Sequence, residues 1–160
     1  MNLGIDPGLG GAAMLITSDG EEIIRCWDMP TTTSGKARTV NAALLADQIK
    51  EAIEVSNQHG ERLQAILEAV HAMPGQGVTS MFNFGVSFGV VQGVLAALEV
   101  RTSLITPATW KKRAGLTGKP KDACRGLACS LWPEQAGLFA RVKDQGRADA
   151  ALIAFFGSRE

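Results

Sequence analysis

MNLGIDPGLGGAAMLIT, residues 1–17, carries one acidic side chain in an otherwise apolar and glycine-rich stretch. Asp6 ends the first predicted strand, a glycine-rich turn follows Pro7, and the apolar run resumes at Met14. A lone carboxylate in an apolar interior costs far more free energy than a buried leucine returns. Asp6 is therefore expected to be paired, to bind a metal ion, or to lie at a strand end that opens into a cleft.

The alternation of apolar and polar residues predicts the order three strands, helix, strand, helix, strand, then helices. Predicted strands are NLGID (2–6), GAAMLIT (11–17), EEIIRCWDM (21–29), QAILEAV (64–70) and TSLITP (102–107). Predicted helices cover 40–59, 78–98, 108–116, 121–132 and a last segment from about Arg147, and PTTTSGKART (30–39) is predicted as a loop. Three adjoining strands before alternating units predict an α/β fold with a mixed sheet, the first hairpins antiparallel and the later strands parallel. At 160 residues the chain is expected to form one domain, 1–160.

Two further carboxylates lie in apolar surroundings. Glu68 falls inside AILEAV, and Asp149 shares a predicted helical face with Leu152 and Ile153. Three carboxylates that face one interior repel one another unless a cation lies between them. Oxygen ligands without sulfur or imidazole suit Mg²⁺ or Mn²⁺, and such a site can hold two ions about 3.5–4 Å apart.

Each carboxylate also has an ordinary interpretation. Asp6 could cap a turn, Glu68 could pair with a lysine, and Asp149 could complement the dipole at a helix N-terminus. Each ordinary interpretation is favoured when its residue is taken singly. The three residues together, in this order of elements, favour a metal site.

Several of these segments resemble one nuclease family. GIDPG (4–8), the in-strand Glu68 and RADAALIA (147–154) resemble the RuvC family of Holliday-junction resolvases, which are ribonuclease H-like. VHAMPGQGVTSMFNFG (70–85) and ITPATWKK (105–112) resemble the phage-encoded RuvC-like type. The resemblance implies a ribonuclease H-like mixed five-stranded sheet flanked by helices. It further implies a homodimeric, two-metal endonuclease that cuts four-way and other branched DNA by paired symmetric nicks.

The resemblance also assigns metal ligands. It implies that Asp6, Glu68 and Asp149 hold two Mg²⁺ ions, with Mn²⁺ as a substitute. Family members commonly carry a fourth ligand three or four positions before the last aspartate, where this chain has Gly146 and Gln145. Asp144 is the candidate replacement, and the alternative is a more weakly held second ion.

Six basic residues lie close together in the sequence and predict a DNA-binding surface. They are Lys111, Lys112, Arg113, Lys119, Lys121 and Arg125. A solvated basic helix is the ordinary alternative. The resemblance places Lys111 and Lys121 at the active site, in contact with the scissile phosphate. His71 and Met73 follow the catalytic strand, where bacterial relatives insert an aromatic wedge into the junction, and a simple turn is equally consistent with this glycine-containing loop.

The segment 78–98 contains no charged residue and is long enough to span a bilayer. Its polar residues favour a buried helix of a soluble core, packed against its own sheet and a second subunit. Small residues recur every four positions, at Gly85, Gly89, Gly93 and Ala97. The resemblance implies that this helix forms the dimer interface, whose candidate residues are Met81, Phe82, Gly85, Phe88, Gly89, Gln92 and Gly93. Close packing within one monomer is the alternative.

The whole composition limits the other classes of function. Sixteen basic and sixteen acidic residues give zero net charge, so a DNA-binding surface must come from the distribution of charge. Three cysteines and two histidines form no zinc pattern, and the absence of a basic leader favours a cytoplasmic protein with reduced thiols. A non-cleaving binder of branched DNA stays open. An actin-like nucleotide-binding phosphotransferase also begins with a strand, an aspartate and glycines, but it needs two lobes.

Overall fold

The computed structural model of the protein describes residues 1–34, 37–69, 75 and 77–159. Its strands are β1 (Asn2–Ile5), β2 (Ala12–Ile16), β3 (Ile23–Asp28), β4 (Thr31–Ser34), β5 (Ala37–Val40), β6 (Gln64–Glu68) and β7 (Arg101–Ile105). Five of them form a sheet in the order β3-β2-β1-β6-β7. The pairs β1–β2 and β2–β3 are antiparallel, whereas β1–β6 and β6–β7 are parallel. The predicted mixed sheet is confirmed.

Residues 30–39, predicted as a loop, contain most of a separate two-stranded hairpin. β4 pairs antiparallel with β5, with Thr31 opposite Val40 and Thr32 opposite Thr39. The Asn41 amide donates to the Pro30 carbonyl at 2.8 Å and closes the base of the hairpin. The loop prediction was wrong because polar composition outweighed the β propensity of the threonines.

The helices are α1 (Ala42–Gln58), α2 (Val78–Ala97), α3 (Pro107–Arg113), α4 (Ala123–Leu131) and α5 (Gln145–Gly157). Asn41 caps α1 by accepting a hydrogen bond from the Leu44 amide, and Thr106 caps α3 in the same way through Thr109. Two 3-10 segments, Pro133–Phe139 and Val142–Asp144, lead into α5 and were not predicted. α5 begins two residues earlier than the sequence pattern indicated.

The sheet carries a separate apolar core on each face. Leu3 and Ile5 point from β1 into the core formed with α1 and α2. The alternation of a strand sends Gly4 to the opposite face, where α5 packs. A Cβ at Gly4 would lie 2.1 Å from the Ala150 carbonyl oxygen and 2.4 Å from the Ala154 amide nitrogen. Glycine at this position lets the backbone of α5 lie directly on β1.

α2, which was predicted to be buried between its own sheet and a second subunit, is buried along one side in the single chain. Within α2 only Ser87, Val91 and Leu95 are buried, whereas Val78 is 83% and Phe82 70% exposed. In its length and hydropathy, α2 would be able to cross a membrane, and 17% of its most apolar 18-residue window is buried. The helix packs along one side against α1, the hairpin strand β5 and the edge strand β7, and its other side is uncovered in the single chain.

Candidate active site

Two carboxylates lie side by side at the ends of parallel strands. The register between β1 and β6 pairs Gly4 with Ile66 and Ile5 with Leu67. The same offset, carried one residue beyond β1, sets Asp6 beside Glu68. Gly4 and Ile66 face the α5 side of the sheet, so strand alternation sends both carboxylates to that side. The sequence prediction that these two strands carry neighbouring acids is consistent with this register.

α5 brings the third carboxylate to the same place. Because the helix crosses β1 at Gly4, its first turn lies above the end of that strand. Asp149 lies in this part of α5 and is half-buried. The structure therefore brings together the three acids that the sequence singled out, and their charges act on one another.

A protein donor holds each of the three carboxylates. The Gly8 amide donates to Asp6 Oδ1 at 3.0 Å, within the turn after β1. The Trp110 indole Nε1 donates to Glu68 Oε1 at 2.8 Å. Gln145 Nε2 donates to Asp149 Oδ1 at 2.9 Å. These bonds orient all three carboxylates.

Burial is the main influence on the acidity of the cluster. It raises the pKa of Asp6 from 3.8 to about 6, against the Gly8 hydrogen bond that lowers it, and the Asp149 charge raises it further. Burial raises the pKa of Glu68 from 4.5 to about 7, opposed by the Trp110 hydrogen bond. The pKa of Asp149 is also raised, chiefly by burial, while hydrogen bonds from Cys124 and Gln145 oppose the change. The ionised cluster is therefore costly until a cation balances it.

The donor set matches a hard divalent cation, because it offers carboxylate oxygens from three separate elements. As they stand, no three acidic, imidazole or thiol side chains in the described ranges 1–34, 37–69 and 77–159 meet closely enough to hold a metal ion. The chemistry of the ligands and the strain of their mutual repulsion both fit a metal centre.

Two lysines supply positive charge to the cluster. Lys111 follows Trp110 in α3, and its Nζ lies 5.2 Å from the centroid of that indole ring. The Lys111 charge lowers the pKa of Asp6, Glu68 and Asp149 alike. Lys121 is exposed and lowers the pKa of Asp149. Both lysines thus lie near enough to the carboxylates for their charges to act on them.

The other predicted DNA contacts divide into two groups. Lys112 and Lys119 are exposed. Arg113 Nη1 donates to the Phe156 carbonyl at 3.1 Å, and Arg125 Nη1 donates to the Ala140 carbonyl at 3.4 Å. These two arginines tie α3 and α4 to neighbouring backbone, so part of their donor capacity is already used.

Asp144, the predicted fourth ligand, forms an ion pair with Arg141. Its buried carboxylate accepts hydrogen bonds from Arg141 Nε and Nη2 and from the Arg141 amide, at 2.9–3.2 Å. The Arg141 guanidinium lowers the pKa of Asp144 to about 2. Asp144 thus closes the turn before α5 in an ion pair with Arg141, and its role as a fourth metal ligand stays a prediction.

The missing acid at Gly146 also has a structural reason. A Cβ at this position would lie 2.2 Å from the Gly10 carbonyl oxygen and 2.7 Å from the Gly11 Cα. The first turn of α5 therefore packs on the loop after β1 through glycine alone. A side chain at Gly146 would require the loop after β1 to move, so an acidic metal ligand at this position is incompatible with the observed packing.

Sequence reasoning missed the residues that hold the carboxylates. Nothing in the sequence marked the Trp110 indole as a donor to a residue 42 positions away. Gln145 could have been found, because a glutamine four residues before an aspartate on a helix is a known hydrogen-bonding pair. Cys124 is buried beside Asp149, and burial raises the pKa of its thiol to about 12.

The proposed wedge residues His71 and Met73 lie outside the described residues.

The predicted interface residues lie mostly on the uncovered side of α2. Phe82, Gly85, Gly89, Gln92 and Gly93 are exposed, whereas Met81 and Phe88 are partly buried. A Cβ added at any of the three glycines would meet no atom within 4 Å. The small-residue stripe is therefore open, and close packing within the monomer does not explain it.

No family model matches the chain. It is 31% identical over 148 residues to the chloroplastic Holliday junction resolvase MOC1 of Chlamydomonas reinhardtii, a match that covers 80% of this chain. The chain spans 16% of the length of that relative.

Two solved structures share the fold. A Thermus thermophilus RuvC structure aligns with a TM-score of 0.60 and 16% identity, over 97% of this chain and 91% of the other. T. thermophilus RuvC in complex with Holliday junction substrate aligns with a TM-score of 0.64 and 16% identity, over 97% and 90%. The resemblance predicted from sequence is confirmed, while the phage type stays a prediction. The chain therefore has the fold of RuvC, a mixed five-stranded sheet flanked by helices.

Proposed function

We propose that this protein is a metal-dependent endonuclease that cuts four-way and other branched DNA by paired symmetric nicks. The observation that carries the proposal is the convergence of Asp6, Glu68 and Asp149 beside Lys111. The three acids come from two adjacent parallel strands and the first turns of α5. The names of the similar proteins, a Holliday junction resolvase and RuvC with its junction substrate, support the same class of substrate.

The three carboxylates would hold Mg²⁺, with two ions per site and Mn²⁺ as a substitute. When bound, such ions supply an activated water and stabilise the leaving 3′ oxygen. Trp110 orients Glu68, and Gln145 orients Asp149, because each donates to one oxygen and leaves the other for the ion. Lys111 and Lys121 lie where they can contact the scissile phosphate and offset its developing charge. Lys112 and Lys119 contact flanking phosphates without reading bases.

The test is cleavage of a labelled synthetic four-way junction in Mg²⁺, beside duplex and flap controls. Asp6→Asn and Asp149→Asn proteins run in parallel, with Glu54→Gln as a control at an exposed acid on α1. We expect paired nicks from wild type and from the control, and none from the two active-site variants. Uptake of Mn²⁺, measured by calorimetry, should fall in the same two variants. Cleavage that survives both substitutions would contradict the assignment of the carboxylates.

A non-cleaving binder of branched DNA is the second candidate. The spacing of the three carboxylates favours it, because no three acidic, imidazole or thiol side chains in the described part of the chain meet closely enough to hold a metal ion. Tight junction binding without cleavage in both Mg²⁺ and Mn²⁺ would select this alternative.

The actin-like phosphotransferase receives no support, because the described parts of the chain form one five-stranded sheet and a hairpin instead of two lobes.

The proposed assembly is a homodimer through α2. The uncovered face combines Phe82, 70% exposed, with the open stripe at Gly85, Gly89 and Gly93. A stripe without side chains lets a second helix approach closely, and a two-fold dimer suits two symmetric nicks. Sedimentation equilibrium should show a dimer for wild type and a monomer for Phe82→Asp. A monomeric wild type, or one that partitions into liposomes, would contradict the dimer. The cytoplasmic location stays a prediction.

A further inference from the structure

A second basic surface lies on the side of Asp6 opposite to Lys111. A cavity of about 190 Å³, the Arg38 cavity, is lined by Leu9, Gly10, Gly11, Asp28, Met29, Arg38, Lys143, Asp144 and Arg147. Its walls come from the loop after β1, the end of β3, strand β5 and the turn that leads into α5. None of these residues belongs to the basic cluster between residues 111 and 125.

The carboxylates in the wall of the Arg38 cavity are already paired. Arg147 donates through Nε and Nη2 to both oxygens of Asp28, at 2.6 and 2.7 Å. Arg141 neutralises Asp144 through the bidentate contact described above. Within the described ranges, Arg38 and Lys143 have no acidic partner within 4 Å, so their charges are left over.

The Arg38 side chain is positioned by the protein. Its Nε donates to Thr31 Oγ1 at 2.9 Å, and its Nη2 donates to the Leu9 carbonyl at 3.2 Å. A guanidinium has five N–H groups, so three remain available to an anion. The planar donor arrangement of arginine matches the oxygens of a phosphate.

Gly11 joins the Arg38 cavity to the active site. Gly11 lines the cavity, and a Cβ at this position would lie 2.8 Å from Asp6 Cγ. Gly11 is therefore the residue that lies between the cavity and the Asp6 carboxylate. The strand order β3-β2-β1-β6-β7 places Asp6 at the middle of the sheet. The end of β3 borders the cavity on one side of Asp6, and α3 with Lys111 follows β7 on the other. A DNA strand that passes Asp6 along this edge would meet both basic surfaces.

We propose that the Arg38 cavity binds a backbone phosphate of the same DNA strand, next to the phosphate that is cut, through Arg38 and Lys143. The inference rests on the proposed function, since it places a neighbouring phosphate of the nuclease substrate. The contact holds the strand in position and reads no base.

The test is binding of a fluorescent four-way junction by anisotropy in EDTA, over a series of salt concentrations, with cleavage in Mg²⁺ measured separately. Arg38→Gln and Lys143→Gln should each weaken binding by about 3- to 10-fold, and each should lower the salt slope by about 0.9, as expected for one lost phosphate contact. Arg38→Lys keeps the charge and should retain most of the affinity. Lys50→Gln removes an exposed lysine on α1 that pairs with Asp47, and it should leave the slope unchanged.

Each other result overturns the inference. If wild type binds and cuts the junction but Lys143→Gln shows unchanged affinity and slope, the cavity is not a phosphate site, while the proposed function stands. If Arg38→Gln alone weakens binding and also lowers the melting temperature, Arg38 only supports the hairpin and the inference fails. Wild-type protein that neither binds nor cuts the junction would contradict the proposed function and the inference together.

Discussion

Replacing Glu68 by glutamine should stabilise the metal-free protein at alkaline pH. In the folded chain burial raises the pKa of Glu68 from 4.5 to about 7, so the folded state holds a proton that the unfolded state releases. The free energy of unfolding therefore falls as pH rises between about 4.5 and 7, and the full cost is present above pH 7. A shift of this size corresponds to about 3 kcal/mol. Glu68 is only half-buried, so solvent screening reduces the expected gain to about 1–3 kcal/mol.

The substitution removes the charge and keeps the local contact. A glutamine carbonyl can still accept the hydrogen bond from the Trp110 indole, now 2.8 Å from Glu68 Oε1. For a chain of this length we expect the melting temperature to rise by roughly 2–4 °C for each kcal/mol. The assay is thermal and urea unfolding in EDTA at pH 8 and pH 5, at a fixed protein concentration. Because the wild-type carboxyl is protonated at pH 5, the advantage of the variant should shrink there.

A matched control and metal addition complete this test. Glu54→Gln removes an exposed acid on α1 and should change stability little at either pH. Adding Mg²⁺ should stabilise wild type and should stabilise Glu68→Gln less, because the variant has lost a ligand. If Glu68→Gln is destabilised equally at pH 5 and pH 8, ionisation of Glu68 does not destabilise the folded protein and the reasoning is refuted.

Three further substitutions test the packing, the charge and the hydrogen bonding of the site. Gly146→Ala should destabilise the fold by about 2 kcal/mol or more in urea unfolding, because the new Cβ would lie 2.2 Å from the Gly10 carbonyl oxygen. Gly126→Ala is the control: its Cβ would meet no atom within 4 Å, so this variant should be neutral or slightly stabilising. Lys111→Gln should slow single-turnover junction cleavage by about 100-fold, because the Lys111 charge acts on the carboxylates. Lys112→Gln is the control and should stay within a few-fold of the wild-type rate. Equal rates for the two variants would argue against a catalytic role of Lys111. Trp110→Phe should cost about 1–3 kcal/mol of stability and weaken Mn²⁺ binding in calorimetry, and unchanged Mn²⁺ affinity would mean that the indole does not orient its partner.

The strands and the three acids were predictable because their signals are local. Asp6 and Glu68 stand out as charges that follow runs of buried residues, and Asp149 shares the period of the apolar face of α5. The mixed sheet follows from the order of the elements. Each of these inferences needs only the neighbouring residues and the alternation of strands or helices.

The remaining features depend on contacts between distant parts of the chain. The ion pair between Asp144 and Arg141 depends on the 3-10 turn before α5, which the sequence pattern did not predict. The indole of Trp110 in α3 donates to Glu68 at the end of β6, and the exposure of one side of α2 depends on which elements pack against it. The hairpin at 31–40 was missed because the polar composition of the segment outweighed the β propensity of its threonines.

The close packing at Gly4, Gly11 and Gly146 bears on how this site can persist while sequences diverge. The alignment of α5 over β1 is set by backbone lying on backbone, at positions where any Cβ would collide. The spacing of the carboxylates is therefore insensitive to which apolar side chains fill the two cores. A backbone arrangement that depends on so few positions is compatible with the 16% identity between this chain and the T. thermophilus RuvC structure that shares its fold.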